Sequence, residues 1–220
     1  MIRKLVPLVA LTAALAAPLV AAAEGLTATA KAGTLGLGLE LSGGPGRYLT
    51  ARAGINYFDY DFSHDYENID YDLEFELRSV AALLDWHPAG GSFRMTSGML
   101  FNRNELAADA KPEDFYDIDG TMYPAELVGD LSGNVGFDDY APYVGLGWAT
   151  NNGIDGGFGL SVDLGVAYQG SPEVQLTASG PLAADPGFQA DLDAERRGLA
   201  DDLDEYEYYP VVALGFNYRF

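Results

Sequence analysis

Apolar residues alternate with polar or small residues along most of the chain after residue 34. Successive side chains of a β-strand point to opposite faces, so this period of two predicts strands whose two faces meet different surroundings. Turn-forming clusters rich in glycine and proline separate the alternating segments, as expected of antiparallel strands. The predicted strands cover residues 35–41, 49–57, 73–86, 93–102, 140–148, 158–168 and 212–220.

Alternation alone fits either a soluble sheet with its polar face in water or a membrane barrel with its apolar face in lipid. Aromatic residues cluster near the strand ends, where their rings suit the level of lipid headgroups. The turns around 42–46 and 87–91 are short, whereas the connections 59–72, 105–139 and 173–207 hold 26 of the 33 acidic residues. Short turns on one side and long loops on the other are typical of outer-membrane barrels.

The C-terminal strand gives the most specific indication. An apolar or aromatic residue occupies every second position, namely Val212, Leu214, Phe216, Tyr218 and the final Phe220. This segment resembles the last strand of outer-membrane β-barrel families, and in general form the chain resembles the small OmpW-like and OmpA-like membrane barrels. The resemblance implies that these residues are read by the barrel-assembly machinery. It also implies that outer-membrane lipid and lipopolysaccharide surround the mature chain.

The number of strands follows from their direction. Seven strands are evident, but single-chain bacterial barrels have an even number. If the last strand ends on the side of the short turns, residues 35–41 run the same way and need a strand before them. Residues 26–31 are the candidate, with Ala32, Gly33 and Thr34 as a tight turn. The sequence therefore predicts an all-β fold, an eight-stranded antiparallel transmembrane β-barrel with one short helix in a loop.

The N-terminus has the pattern of a secretory signal peptide. Arg3 and Lys4 precede an uncharged apolar run, and the small residues Ala21 and Ala23 suit a cleavage site before Glu24. We therefore expect residues 1–23 to be a signal peptide and residues 24–220 to be one outer-membrane β-barrel domain. Loss of the signal peptide would change the formal net charge from −21 to −23. Such a negative charge disfavours a nucleic-acid partner, and the absence of cysteine excludes disulfides.

Polar residues on the inward face of the predicted strands are the candidate site. They are Glu40, Arg52, Asn56, Arg94, Asn102, Asp163, Asn217 and Arg219. Side chains nearly fill an eight-stranded barrel, and buried charges must pair, so we interpret this set as a polar core of the lumen. A gated ion path is the alternative. The register of residues 73–86 stays open: if Ala81 and Leu83 face lipid, the charges of Glu74, Glu76 and Arg78 join the lumen.

The predicted outer connections carry two further features. Residues 59–72 are rich in carboxylates, which divalent cations prefer, but they lack the spacing of an EF-hand. A solvated acidic loop is the simpler interpretation, and bridging of such loops to lipopolysaccharide by divalent cations is a hypothesis. Residues 185–205 predict a helix, since Asp185 can cap it and Pro186 can occupy its first position. Phe188, Leu192, Leu199 and Leu203 lie near one face of that helix.

Nothing in the sequence predicts a catalytic centre, a cofactor or a metal site. The only histidines are His64 and His87, and His64 lies between Ser63 and Asp65. Neighbours in sequence point in different directions and do not by themselves form a triad. We therefore expect a non-enzymatic barrel with a structural or surface-interaction role in the cell envelope. The alternative is a narrow channel for small solutes, hydrophobic ones included.

Overall fold

The computed structural model describes residues 24–66, 69–102, 105–112, 114–150 and 156–220. The predicted signal peptide lies outside these ranges. The strands are β1 (Glu24–Gly33), β2 (Gly36–Gly44), β3 (Leu49–Tyr66), β4 (Ile69–Trp86), β5 (Phe93–Asn102), β6 (Glu105–Pro112), β7 (Phe115–Ile118), β8 (Thr121–Pro124), β9 (Leu131–Gly136), β10 (Tyr140–Ala149), β11 (Gly157–Tyr168), β12 (Glu173–Ala178) and β13 (Tyr208–Arg219). The α-helices are α1 (Ala125–Val128) and α2 (Pro186–Leu203). Within the described ranges, no helix is long and apolar enough to cross a membrane.

Eight of these strands close into a barrel. Their order is β1, β2, β3, β4, β5, β10, β11 and β13, and β13 pairs again with β1. All neighbours in this ring are antiparallel, which confirms the predicted fold and the predicted number of strands. The first hairpin exists, but β1 is longer than predicted because it pairs with β2 and β13 as far as Gly33. Its turn is consequently at Thr34 and Leu35.

The two ends of the barrel differ. At one end, called the turn end here, β2 stops at Gly44, β4 stops at Trp86 and β13 stops at Arg219. At the opposite end, the loop end, the chain leaves the barrel for the two long segments between β5 and β10 and between β11 and β13. The predicted asymmetry between short and long connections is therefore present in the fold.

The barrel has an apolar outside and a polar inside. Leu37 and Leu39 are 69% and 64% exposed on the outer face, whereas Asp85 and Asn217 are 1% and 2% exposed on the inner face. Aromatic pairs lie on the outer face near both ends, with centroids 5.2–5.7 Å apart: Phe93–Trp148 and Phe158–Phe216 at the turn end, Phe101–Tyr140 and Tyr168–Tyr208 at the loop end. The strand alternation therefore produces two faces of opposite polarity.

The prediction of an acidic loop over residues 59–72 is wrong. The hairpin continues, and β3 pairs with β4 from Leu49↔Trp86 to Tyr66↔Ile69. The sequence keeps its period of two here, with Phe58, Tyr60 and Phe62 at every second position and acidic residues between them. The many acidic residues of the stretch hid the strand alternation in the sequence, although the two halves of the stretch pair as strands.

The alternative register of β4, which brings Arg78 into the lumen, is also wrong. Ser79, Ala81 and Asp85 are buried in the lumen, and Leu84 is 52% exposed outside. Arg78 belongs to the outer face, where its guanidinium lies over the ring of Tyr57, 5.4 Å from the centroid. Small and apolar residues occupy both faces of this strand, so the pattern could not fix its register. The inward-facing arginines determine the register of β4, because they need a buried carboxylate.

The two long segments extend the sheet beyond the loop end. The first half of β4 pairs with β6, β6 pairs with β9, and β9 pairs with β12. The sequence predicted a long polar connection over residues 105–139, and this prediction is wrong, since the segment holds four strands and α1. The long β4 offers an unpaired edge beyond the barrel, and these short strands add to it.

A small second core lies on this extension. Tyr116, Ile118, Val128, Phe188 and Leu192 are buried together, packed against Leu131 of β9 and Leu176 of β12. We call residues 115–128 and 181–203, with the strands that they cover, the loop-end subdomain. Helix α2 begins as predicted, because Asp185 Oδ1 accepts hydrogen bonds from the backbone N–H groups of Gly187 (2.9 Å) and Phe188 (3.0 Å). Of the predicted apolar face, Phe188 and Leu192 are buried, while Leu199 is 37% exposed.

Candidate functional site

Six charged side chains, five of them buried and one, that of Lys31, 11% exposed, meet in the middle of the lumen. We call Lys31, Glu40, Arg52, Asp85, Arg94 and Asp163 the ion network. Lys31 Nζ lies 2.8 Å from both Glu40 Oε2 and Asp163 Oδ2. Three cations face three carboxylates, so the network is neutral, as burial of charge requires.

Arg52 is the centre of the network. Its Nη1 lies 3.2 Å from Glu40 Oε1 and 3.3 Å from Asp163 Oδ1, and its Nε lies 2.8 Å from Asp85 Oδ2. Thr96 accepts a hydrogen bond from Arg52 Nη2 at 3.2 Å and donates one to Asp85 Oδ1 at 2.7 Å. One guanidinium therefore holds strands β2, β3, β4, β5 and β11 together across the lumen.

Arg94 completes the network from β5. Its Nη2 donates to Asp163 Oδ1 at 2.6 Å, and its Nε lies 3.6 Å from Asp85 Oδ2. Gly147 makes room for this pair, because a methyl group at that position would meet Arg94 and Asp163. The small residue opposite the ion pair is therefore a packing requirement of the lumen.

An apolar layer closes the lumen between the ion network and the loop end. Its buried residues are Ala81, Leu100, Ala141, Tyr143, Ala167 and Val211, and Leu35, Leu83 and Tyr209 pack against them. The ring of Tyr143 crosses the lumen above Gly145 and Gly165, where any side chain would collide with it. A cavity of about 40 Å³ lies between this layer and the ion network.

The lumen is open on the other side of the network. A cavity of about 360 Å³ reaches from the network to the turn end, and we call it the vestibule. Hydroxyl and charged side chains line it, including Thr27, Thr50, Ser161 and Arg219. His87 is buried in its wall, where Nδ1 is 3.1 Å from the carbonyl of Gly91 and Nε2 is 3.2 Å from Thr50 Oγ1. Burial lowers the pKa of His87, which therefore favours its neutral form.

Hydrogen bonds tie the loop-end subdomain together. Tyr123 on β8 donates to Asp191 of α2 at 2.6 Å, and its ring packs edge-on against Phe188. This hydrogen bond raises the pKa of Tyr123. The backbone N–H of Asp119 donates to Glu195 Oε2 at 2.9 Å. In the described parts of the chain, no group of three or more His, Asp or Glu side chains could hold a metal ion.

Comparisons with known proteins place the fold. No protein-family model matches the sequence, and a search of curated proteins finds no match. Among solved structures, CarO2 of Acinetobacter baumannii is 23% identical with a TM-score of 0.61, over 90% of this chain and 99% of that chain. The chain therefore shares the fold of that solved structure. CarO of the same organism is 24% identical with a TM-score of 0.59, over 90% and 98% of the two chains. At these identities the likeness is one of fold.

The structure places the eight predicted lumen residues at three levels of the barrel. Glu40, Arg52, Arg94 and Asp163 meet in the ion network. Asn56, which donates to Ser79 Oγ at 3.0 Å, and the buried Asn102 lie toward the loop end. Asn217 and Arg219 line the vestibule. The residues of the predicted assembly signal, Val212, Leu214, Phe216, Tyr218 and Phe220, are exposed on the outer face.

Sequence reasoning missed two members of the ion network, Lys31 and Asp85. Lys31 shares the inward parity of Thr27 and Thr29 in the first predicted strand, where small residues make the alternation weak. Asp85 belongs to the strand whose register stayed open. The inner face of the predicted strands holds more arginine than carboxylate, and that imbalance was the available signal for a missing acid.

Proposed function

We propose that this chain is an outer-membrane protein whose sealed barrel supports the envelope and displays the loop-end subdomain outside the cell. The fold of the solved neighbours, the apolar outer face with aromatic pairs at both ends, and the signal-peptide pattern of residues 1–23 support this location. Within the proposal, the turn end faces the periplasm and the loop end faces outward. The finer resemblance to OmpW-like and OmpA-like barrels stays a prediction.

The closed lumen is the observation that carries the structural role. The neutral ion network and the apolar layer occupy successive levels, and the cavity between them is about 40 Å³. An open pore would need a continuous polar path, whereas Leu100, Tyr143 and Val211 interrupt it at the loop end. The barrel therefore suits anchoring and surface display better than solute passage.

Conductance across a planar bilayer tests the proposal. We expect the refolded wild-type barrel to show no steady single-channel current. Arg52→Ala and Arg94→Ala, which remove cations of the network, should lower stability and leave the conductance unchanged, because the apolar layer still blocks the lumen. Arg196→Ala on the exposed face of α2 is the matched control. A steady wild-type current that either lumen variant raises would overturn the sealed barrel.

The alternative is a narrow channel for small solutes, hydrophobic ones included. The vestibule favours it, because the lumen is already open from the turn end as far as the ion network. Replacing Tyr143 with Ala tests this alternative directly, since it thins the apolar layer without touching a charge of the network. A wild-type current that grows further in this variant would support the channel.

The proposed location in the outer membrane implies several partners. Outer-membrane lipid and lipopolysaccharide would surround the apolar face, and the assembly machinery would read the C-terminal residues Val212 to Phe220 during biogenesis. Cation bridging at the acidic loops is the least supported of these partners, since no metal-binding group occurs in the described residues. Calorimetric titration of the refolded protein with calcium tests it, and an absence of heat would remove it.

A further inference from the structure

A sealed barrel does not require the vestibule. Its wall contains side chains from all eight barrel strands. Thr27, Thr29, Ser42, Thr50 and Ser161 supply hydroxyl groups, and Ala149 supplies the largest apolar side chain among the lining residues. A cavity of about 360 Å³ lies within the size range of small-molecule sites. Most of the residues that line it have polar or charged side chains.

The charge of the vestibule is opposite to that of the chain. Arg47, Arg52, Arg94 and Arg219 line it, against the carboxylates of Glu40 and Asp85, which gives a net charge of +2 with His87 neutral. The whole chain has a net charge of −21 and only 12 basic residues, so this concentration of arginine is local. An anion near the turn end would therefore be drawn into the vestibule.

The two arginines at the floor of the vestibule, where the ion network lies, are paired with carboxylates. The two at its mouth, which is the opening at the turn end, are not. Arg52 and Arg94 hold acids of the ion network. Arg219 forms no ion pair with an acidic side chain among the described residues, and Gly25 gives its guanidinium room, because a methyl group there would overlap it. Arg47 is exposed and contacts the hydroxyl of Tyr48 at 3.1 Å. The mouth thus offers two guanidinium groups to a ligand.

Two buried polar atoms in the same wall lack partners. Ser161 is 5% exposed and Asn217 is 2% exposed, and Ser161 Oγ and Asn217 Oδ1 have no hydrogen-bond partner within the described residues. Buried polar groups in native proteins are nearly always hydrogen-bonded. Both side chains line the vestibule. A ligand oxygen could accept a hydrogen bond from the Ser161 hydroxyl, and a hydroxyl group of the same ligand could donate one to Asn217 Oδ1.

We propose that the vestibule binds a small oxyanion, a carboxylate or phosphate group on a metabolite-sized molecule. Arg219 and Arg47 would bind the anionic group, since guanidinium forms paired hydrogen bonds with carboxylate and phosphate oxygens. Deeper in the cavity, Ser161 would donate to an oxygen of the same molecule, and Asn217 Oδ1 would accept from a hydroxyl group of that molecule. The proposal depends on the lining of the cavity alone, and it holds whether or not the barrel conducts.

Isothermal titration calorimetry on the refolded full chain in detergent tests the site. The probes are citrate for a carboxylate ligand, inorganic phosphate for a phosphate ligand, and the uncharged polyol xylitol as a control. We expect saturable binding of one anion per chain and no binding of xylitol. Arg219→Gln and Ser161→Ala should each weaken binding roughly tenfold, the loss expected for one hydrogen bond to a charged group. The gel mobility of unheated and heated samples verifies that each variant is folded.

A matched variant separates a built site from general attraction. Arg196→Gln removes the same charge from the exposed face of α2, where the Arg196 side chain is 42% exposed, and should leave binding unchanged. Binding of citrate alone assigns the site to carboxylates, and binding of phosphate alone assigns it to phosphate esters. No saturable heat with either anion overturns the proposal. Equal weakening by Arg196→Gln and Arg219→Gln, or full affinity in Ser161→Ala, overturns it as well.

Discussion

The barrel and the loop-end subdomain use the same strand alternation with opposite polarity. In the barrel, Leu37 and Leu39 are exposed outside while Asp85 and Asn217 are buried inside. In strand β7 of the subdomain, Tyr116 and Ile118 are buried, whereas Phe115 and Asp117 are exposed. A strand pattern therefore fixes which residues share a face, whereas the medium around each region decides which face is buried.

The contrast extends to what holds each region together. Buried ion pairs and backbone pairing around a closed ring hold the barrel, and apolar contacts hold the subdomain. A buried ion pair adds little net stability but is costly to break, because the remaining charge stays unpaired. An apolar core loses stability in proportion to the contact and volume removed. The two regions should therefore respond differently to the same kind of truncation.

Arg52→Ala should produce the largest loss. It leaves Glu40, Asp85 and Asp163 with only two cations, which should cost about 3–5 kcal/mol of barrel stability. Urea unfolding in lipid vesicles, followed by tryptophan fluorescence, measures this loss. Arg196→Ala removes an exposed ion pair with Asp193 and should cost within about 0.5 kcal/mol. Equal unfolding midpoints for the two variants would contradict the role of the ion network.

Phe188→Ala should damage only the loop-end subdomain. The ring is 1% exposed and packs against Tyr123, so its loss should cost about 3 kcal/mol of local stability. Limited proteolysis should then cut within residues 115–128 and 181–203 while the barrel keeps its gel mobility. Leu199→Ala on the exposed side of α2 is the matched control and should leave the cleavage rate unchanged. Loss of the folded barrel in Phe188→Ala would show that the two regions do not unfold separately.

Lysine substitutions at exposed leucines test whether the barrel and the loop-end subdomain have different surroundings. Leu39 lies beside Glu40 of the ion network, near the middle of the barrel height, so Leu39→Lys should cost about 2–4 kcal/mol in a bilayer. Leu199→Lys in the subdomain should change stability by less than about 0.5 kcal/mol, as is usual at the surface of a soluble domain. Unfolding in vesicles measures both variants. A similar small effect at both sites would mean that Leu39 does not face lipid.

Most of the barrel could be predicted from the sequence because its signal is long and redundant. β5 and β10 match their predicted ranges to within a residue, since apolar residues recur at every second position through most of each strand. Helix α2 was predictable from a local signal, the capping Asp185 before Pro186. Such features depend on the neighbouring residues alone.

The sheet extension and the place of Asp85 in the ion network needed long-range information. β6, β9 and β12 are short strands of 8, 6 and 6 residues that exist because β4 extends beyond the barrel and offers them an edge. Asp85 could be assigned to the lumen only through the pairing of β4 with β3 and β5. Apolar and small residues occur on both faces of β4, so no local pattern distinguished them.

A pH dependence at the turn end should be the smallest effect and is specific to the barrel. His87 is 2% exposed, and burial lowers its pKa, with the nearby Asp85 opposing this shift and Arg94 reinforcing it. The unfolded chain therefore binds the proton more readily than the folded chain below the ordinary histidine pKa of about 6.5. Stability should be complete above that pH and should fall as the pH drops through it toward the lowered pKa of the folded state.

Urea midpoints at pH 7.5 and pH 5.5 measure this effect. His87→Gln should keep the midpoint nearly constant between the two pH values, since glutamine has no proton to gain, while the wild-type midpoint should be lower at pH 5.5. The same pair of measurements on Tyr123→Phe in the loop-end subdomain is the control, because that variant keeps His87 and should show the wild-type difference. An equal drop in the wild type and in His87→Gln would assign the acid sensitivity to other groups. The buried imidazole would then not contribute to the pH dependence of barrel stability.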